Sequence, residues 1–237
     1  MRSSIRSRDY DEATTLDFAS AAAAALAYLR SRSDISPAKV GLVGHSEGAT
    51  IAAMIAARDP KVAYIVMMGG FALPGKVLVA EQIRQMAIAN GATAESVAQT
   101  YNLNRRLYDA IGGSKNQSDA ESNVHRILAD AKPTPPQQKT DEAIMFALLP
   151  YMRFILAYDP TRSLSEVRVP VLALCGSRDL VVPPDVNLPA LRKTLARDHD
   201  VTIVEIPGLN HFFSVPKRDC PRSGRRLKRR LHPKRCQ

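Results

Sequence analysis

The chain has 237 residues, of which 45% are hydrophobic, which is enough for one globular domain with a sizeable core. This composition excludes a fibrous or disordered protein, and no apolar run approaches the roughly 18 uncharged residues of a membrane span. The formal net charge of +10 is concentrated in residues 216–237, which hold ten basic residues and one acidic residue, whereas the rest of the chain holds 23 basic and 22 acidic residues. The body of the protein is therefore nearly neutral, and we expect a disordered basic tail.

The first predicted helix covers about residues 15–32 and is rich in alanine. Thr14 and Asp17 resemble a capping box at its start. Basic residues near Met1 also resemble the start of a signal peptide, but four acidic residues within the first 17 argue against one. We therefore expect the chain as written to be cytoplasmic, although an export signal could belong to a longer natural chain.

Two short, continuous apolar runs follow, and both are typical of buried strands. The predicted strands cover residues 39–44 and 62–68, and a predicted helix at about 47–58 lies between them. Parallel strands that are buried on both faces lose the alternation of polar and apolar residues, as these runs do. The order strand, helix, strand therefore predicts parallel pairing.

Residues 74–159 show helical periodicity throughout, and no predicted strand interrupts them. The predicted helices are residues 76–90, 94–111, 118–131 and 138–158. A strand-free insertion within an α/β pattern favours a cap above a site, and the alternative is a plain helical subdomain.

The α/β pattern resumes with predicted strands at residues 169–175 and 201–206, separated by a helix at about 186–197. The predicted fold class is therefore α/β, with a mostly parallel sheet of about four strands and a helical cap insertion. The predicted parts of the chain are a core at residues 1–73 and 160–215, a cap at 74–159, and a basic tail at 216–237.

The sequence Gly44-His45-Ser46-Glu47-Gly48 has the G-x-S-x-G pattern of a nucleophile elbow, and it lies between a predicted strand and a predicted helix. Such a turn strains the backbone of the serine, and we expect Gly44 and Gly48 to be needed to avoid collisions with the neighbouring strand and helix. Ser46 is the candidate nucleophile. The backbone N–H of Glu47 is a candidate oxyanion donor, because it begins the following helix.

A serine hydroxyl needs a general base within hydrogen-bond reach, and the chain has five histidines. His211 follows the last predicted strand directly and is the candidate base, because that position places it at the same sheet edge as Ser46. His45 adjoins the serine, but we expect its side chain to point away from it. The remaining three lie in the helical block (His125), in an acidic turn (His199) and in the tail (His232).

Asp179 follows the third predicted strand and is the candidate acid that orients the histidine. Asp159, which precedes that strand, and Asp185, which a helix cap explains, are the nearest alternatives. The order Ser46, Asp179, His211 is not that of chymotrypsin or subtilisin.

The three cysteines, Cys175, Cys220 and Cys236, have neither metal-site spacing nor a disulfide pattern. Cys175 ends an apolar run, so we interpret it as a buried strand thiol rather than a reactive one. We therefore expect no metal site.

The segments GHSEGA, GSRDLVVPP and GLNHFF together resemble the α/β-hydrolase superfamily over residues 14–213. The resemblance is greatest to its acyl esterases and its prolyl-oligopeptidase-like or aminopeptidase-like serine hydrolases. It implies hydrolysis of a carboxylic ester, thioester or amide through an acyl-enzyme, with a Ser-His-Asp triad, a helical cap between the sixth and seventh strands and no cofactor. The implied partner is a small-molecule acyl ester or a short peptide. From the hydropathy and the charge distribution we expect no membrane and no specific nucleic acid as partners.

The chain departs from that pattern at both ends. Members of the superfamily normally have about four strands before the elbow strand, and a glycine-containing loop that supplies a second oxyanion N–H. Here only 45 residues precede Ser46 and the first glycine is Gly41, so we expect an incomplete fold without that loop. Residues 39–44 would then form an exposed sheet edge that allows oligomers or aggregates. The change in composition after Phe213 resembles out-of-frame translation.

Two other functions stay open. The chain could be a catalytically impaired hydrolase fragment, because it lacks the loop with the second oxyanion donor. Alternatively, its basic tail could bind nucleic acid without sequence specificity, because ten basic residues can neutralise several phosphates. No aromatic residues interleave with those charges, and such runs are usually solvated.

Overall fold

The computed structural model describes residues 12–131, 144–197 and 200–216. Their four strands form one sheet in which every neighbouring pair is parallel, in the order β1-β2-β3-β4. The strands are β1 (Leu42–His45), β2 (Ile65–Met68), β3 (Val171–Gly176) and β4 (Val201–Ile206). The prediction of a parallel α/β sheet of about four strands is confirmed.

The fourth strand has the predicted bounds, whereas the first three begin later than predicted. Val62, for example, is buried but lies before β2, and Ala63 only donates one hydrogen bond to the carbonyl of Val40. An apolar run therefore locates a strand, and the shorter stretch that pairs within it depends on the neighbouring strand.

Helices connect the strands and agree with the predicted ones to within a few residues in most cases. Those described from end to end are α1 (Thr15–Ser31), α2 (Glu47–Ala56), α3 (Gly75–Ala89), α4 (Ala94–Gly113), α5 (Gln117–Ala129), α6 (Pro150–Ala157), α7 (Thr161–Glu166) and α8 (Pro184–Thr194). At the start of α1, the carboxylate of Asp17 accepts hydrogen bonds from the backbone N–H of Thr14 at 3.0 Å and from its hydroxyl at 3.1 Å.

The predicted single helix at residues 138–158 is wrong in its described part. Residues 144–148 are helical, Leu149 is extended (φ −57°, ψ 143°), and α6 begins at Pro150. The ring of Pro150 disfavours the helical conformation at the preceding residue, which explains the break. The short helix α7 was not predicted.

Two apolar clusters account for most of the buried side chains. One packs the strands against α1, α2 and α8, with Ile65 and Met67 at its centre. The other joins α4, α5 and α6 around Ile111, Val124 and Leu156, apart from the sheet. This second cluster fits a cap formed by the helices between β2 and β3, whose predicted boundaries stay a prediction.

Strand β1 lies at one end of the described sheet and has a partner only in β2 among the described residues. Val43 in this strand is 67% exposed. Predictions that concern His199, His232, Cys220, Cys236 and nearly all of the basic tail lie outside the described residues. Within the described ranges, no helix has the length and apolar character needed to cross a membrane.

Candidate active site

Ser46 occupies a sharp turn between the end of β1 and the start of α2. Its backbone has φ 55° and ψ −119°. Among the described residues other than glycine, only Ser46 and Phe213 have a positive φ. Such a conformation costs roughly 1–3 kcal/mol and persists only where the surrounding structure imposes it. Here the N–H of Ser46 donates to the carbonyl of Met68 at 2.8 Å, and its own carbonyl accepts from Ala49 at 3.0 Å.

The two glycines that flank this turn differ in what surrounds them. A Cβ atom at Gly44 would lie 2.0 Å from the carbonyl oxygen of Gly48, so only glycine fits there. A Cβ atom at Gly48 would meet no described atom within 4 Å. The collision expected at Gly48 is therefore absent, because its α-carbon faces open space in the first turn of α2.

Asp179 and His211 form a buried pair on the loops that follow β3 and β4. The Nδ1 atom of His211 lies 2.8 Å from Oδ2 of Asp179, and the two residues are 6% and 2% exposed. The other carboxylate oxygen, Oδ1, accepts backbone hydrogen bonds from Val181 at 2.8 Å and Val182 at 2.7 Å. Because the carboxylate is an acceptor, Nδ1 carries the imidazole proton and Nε2 is left as the basic nitrogen.

Close contact between the two loops brings this pair together. A Cβ atom at Gly176 would lie 2.3 Å from the carbonyl oxygen of Leu209, and the N–H of Arg178 donates to the same oxygen at 2.9 Å. Gly176 ends β3, so the absence of a side chain there lets the loop with His211 lie directly against the loop with Asp179.

Asn210 closes the His211 loop and was missed by the sequence analysis. Its side-chain Oδ1 accepts hydrogen bonds from the N–H of Phe212, the N–H of Ser214 and the hydroxyl of Ser214, at 3.0 to 3.2 Å. Asparagine commonly bonds to backbone two residues ahead in turns, and its position just before the histidine was the available signal.

Gly69 connects the buried pair to the turn that holds Ser46. It directly follows Met68, the hydrogen-bond partner of Ser46, and has φ 59°. A Cβ atom there would lie 3.1 Å from Cε1 and 3.2 Å from Nδ1 of His211, and 3.6 Å from Oδ2 of Asp179. The imidazole therefore lies against the backbone beside the serine.

No hydrogen bond joins the Ser46 hydroxyl to His211 among the described residues. The three predicted residues come from the carboxyl ends of β1, β3 and β4, the edge of the sheet at which such residues meet.

His45 contacts the loop after β4 that carries His211 (residues 207–214, the base loop), contrary to the expectation that left His45 without a role. Its Nε2 atom lies 2.8 Å from the backbone oxygen of His211, and the two ring centroids are 4.8 Å apart. The sequence prediction considered only the direction of this side chain relative to Ser46. The contact partner lies 166 residues further along the chain, so no local sequence pattern could indicate it.

Glu47 connects the elbow to two further elements. Its carboxylate accepts hydrogen bonds from the hydroxyl of Thr15, at the start of α1, at 2.6 Å and from that of Tyr151, in α6, at 3.2 Å. Its backbone N–H lies in the first turn of α2, where N–H groups have no partner within the helix.

The alternative acids and His125 lie away from this pair. Asp159 accepts two hydrogen bonds from Thr161 at the start of α7, at 3.0 and 2.7 Å. Asp185 lies in the first turn of α8, with one carboxylate oxygen 3.8 Å from Arg84. His125 is exposed on α5.

Cys175 is a buried thiol, as interpreted from the sequence, with 2% of its surface exposed. Burial raises the pKa of this thiol to about 12, and the nearby Asp179 carboxylate contributes to the rise. The thiol is therefore protonated at neutral pH and is no nucleophile. In the described parts of the chain, no group of three or more His, Cys, Asp or Glu side chains could hold a metal ion.

Solved structures similar to this chain include Est1E from Butyrivibrio proteoclasticus, with a TM-score of 0.51 and 16% identity over 85% of this chain and 64% of that one. The chain thus spans less than two thirds of Est1E. A monoacylglycerol lipase from Paleococcus ferrophilus has a TM-score of 0.46 and 18% identity over 87% of this chain and 70% of that one. The likeness to Est1E shows a shared fold.

A search of curated protein sequences found no match. The family model described as "Alpha/beta hydrolase family" matches residues 3–219, which is most of the chain. This match agrees with the parallel sheet, the strained serine turn and the loops that carry Asp179 and His211. The chain belongs to the alpha/beta hydrolase family.

Proposed function

We propose that the protein is a serine hydrolase that cleaves a carboxylic ester, or a thioester or amide, through an acyl-enzyme. Ser46 is the nucleophile, His211 the general base and Asp179 the acid that orients the base. One observation carries the proposal: a buried histidine–carboxylate pair, joined at 2.8 Å, lies against the backbone that flanks a serine in a strained strand-to-helix turn. The serine, the histidine and the carboxylate can therefore serve as the nucleophile, the base and the orienting group.

In the first half of the reaction, Nε2 of His211 accepts the proton of the Ser46 hydroxyl while Oγ forms a bond to the substrate carbonyl carbon. The carbonyl oxygen gains a negative charge, and the backbone N–H of Glu47 is the donor that this chain offers to it. Asp179 keeps the proton on Nδ1 and stabilises the imidazolium that forms. The three bonds that its carboxylate accepts are already in place before reaction.

In the second half, the imidazolium gives its Nε2 proton to the leaving group as the bond from the carbonyl carbon to that group breaks, which leaves the acyl group on Ser46. Water then loses a proton to His211 and attacks the acyl carbon. The acid product leaves, and the proton returns from His211 to Ser46. The same residues thus serve both halves of the reaction.

We propose a small-molecule acyl ester or a short peptide as the substrate, which membership of a hydrolase family supports. Ester, thioester and amide cleavage share the same steps at this triad. An activated ester is therefore the best first substrate, because its leaving group needs the least help from other residues.

The test is hydrolysis of p-nitrophenyl acetate and p-nitrophenyl butyrate by the protein and its Ser46→Ala and Asp179→Asn variants. We expect Ser46→Ala to fall to the buffer rate, and Asp179→Asn to lose up to about 10,000-fold in kcat because the wrong tautomer is favoured. His125→Ala is the matched control, since that histidine is exposed on α5, and it should keep the full rate. Full activity in Ser46→Ala would refute the proposal.

A further inference from the structure

His45 connects the chain segment of the proposed nucleophile to that of the proposed base, in an arrangement that the triad alone does not require. It precedes Ser46 in the chain, at the end of β1, and its Nε2 atom lies 2.8 Å from the backbone oxygen of His211. A carbonyl oxygen only accepts hydrogen bonds, so Nε2 of His45 carries a proton and donates it.

The His45 ring also packs on the loop that it bonds. Its centroid lies 4.8 Å from that of His211, 6.0 Å from that of Phe212 and 6.1 Å from that of Phe213. Ring pairs at these distances add packing energy to the hydrogen bond. Three consecutive residues of the base loop therefore contact one side chain at the end of β1.

The base loop carries strain that such contacts can hold in place. Phe213 has φ 55°, a conformation that bulky residues avoid and that persists only where neighbouring contacts impose it. Asn210 fixes the loop from within, and Asp179 fixes the imidazole from the loop that follows β3. The bond from His45 links the His211 backbone to the strand of Ser46, which is three strands away from β4 in the sheet.

We propose that His45 is a positioning residue that sets the separation between the Ser46 hydroxyl and the His211 imidazole. Because it is covalently next to Ser46 and bonded to the backbone of His211, any movement of the base loop away from the nucleophile must break or stretch this bond. The inference rests on the proposed triad and adds a fourth residue, which acts through His211 rather than on substrate.

The test compares two variants that separate the donor from the ring. His45→Phe keeps an aromatic ring without the N–H, whereas His45→Gln keeps an N–H donor at similar reach. The rates of p-nitrophenyl butyrate hydrolysis give kcat and KM, thermal unfolding gives Tm, and titration with a fluorophosphonate gives the active fraction. We expect His45→Phe to lower kcat per active site about 2- to 12-fold with KM unchanged, the size of one net hydrogen bond. We expect His45→Gln to recover most of the loss.

A double variant distinguishes positioning from a general loss of structure. If His45 acts through His211, the effect of His45→Phe on the fluorophosphonate labelling rate should disappear in a His211→Ala background. An unchanged kcat in His45→Phe, or an equal loss in both backgrounds, would overturn the inference. Failure of the triad itself gives a different result, because Ser46→Ala would then still hydrolyse the ester.

Discussion

Replacement of Gly69 by alanine tests whether the imidazole of His211 must lie against the end of β2. The new methyl carbon would lie 3.1 Å from Cε1 and 3.2 Å from Nδ1 of that ring, whereas such atoms normally approach to about 3.5–4.0 Å. The ring must therefore move by about 0.5 Å. A misplacement of about 1 Å can cost on the order of 100-fold in rate, so we expect a fall of about 10-fold in kcat.

Alanine at this position also strains the backbone, because Gly69 has φ 59°, and this cost must be separated from the contact with His211. Gly91→Ala is the matched control: its φ is 80°, and a Cβ there would meet nothing within 4 Å. Both variants should lose about 1–2 kcal/mol of unfolding free energy.

Urea unfolding and p-nitrophenyl butyrate hydrolysis, measured below the unfolding transition, distinguish the two costs. Only Gly69→Ala should lose activity per folded molecule. If Gly69→Ala keeps the kcat of Gly91→Ala, the imidazole does not depend on this contact, and the proposed position of the base is wrong.

Three further predictions concern stability and reactivity. Gly44→Ala should prevent folding, since its Cβ would lie 2.0 Å from the Gly48 carbonyl oxygen, whereas Gly48→Ala should fold with equal or higher stability because its Cβ meets nothing within 4 Å. Circular dichroism and urea unfolding measure both, and a folded Gly44→Ala with an unfolded Gly48→Ala would contradict the position of the turn. Thr15→Val should lower the unfolding free energy by about 1–3 kcal/mol, because it removes the 2.6 Å donor to the Glu47 carboxylate, and an unchanged urea midpoint would contradict that bond. The folded Cys175 thiol, with its pKa raised to about 12, should resist iodoacetamide at pH 8. Between about pH 9 and pH 12 the unfolded thiol is ionised while the folded thiol stays protonated, so the free energy of unfolding should fall as the pH rises through this range, and Cys175→Ala should flatten that fall.

The features of this protein that sequence predicts well are those fixed by local pattern. Continuous apolar runs predicted β1, β2 and β3, because strands inside a parallel sheet tend to lose the alternation of polar and apolar residues, although Val43 in β1 is 67% exposed. The position of His211 directly after β4 predicted its edge of the sheet, because parallel strands end together. Burial does not define pairing, however, so the strand ends differed, and periodicity did not reveal that Pro150 breaks a helix.

Contacts between distant segments account for most of what the sequence did not predict. Asn187 is fully buried, and its side chain bonds the N–H of Ala72 at 2.8 Å and the carbonyl of Gly70 at 2.9 Å, more than 110 residues away. It holds the segment that follows Gly69, yet in sequence it is one polar residue of a helix. His45 was dismissed for the same reason, because its partner becomes visible only when β1 and the loop after β4 are placed together.

The role of Ser46 as nucleophile is tested most directly by mapping a fluorophosphonate adduct with tandem mass spectrometry. The probe phosphonylates an activated serine whatever the natural substrate, so the result does not depend on the choice of ester. We expect one adduct per chain on Ser46, no adduct in Ser46→Ala, and strongly slowed labelling in His211→Ala. An adduct on another residue, or undiminished labelling of Ser46→Ala, would contradict the proposed mechanism.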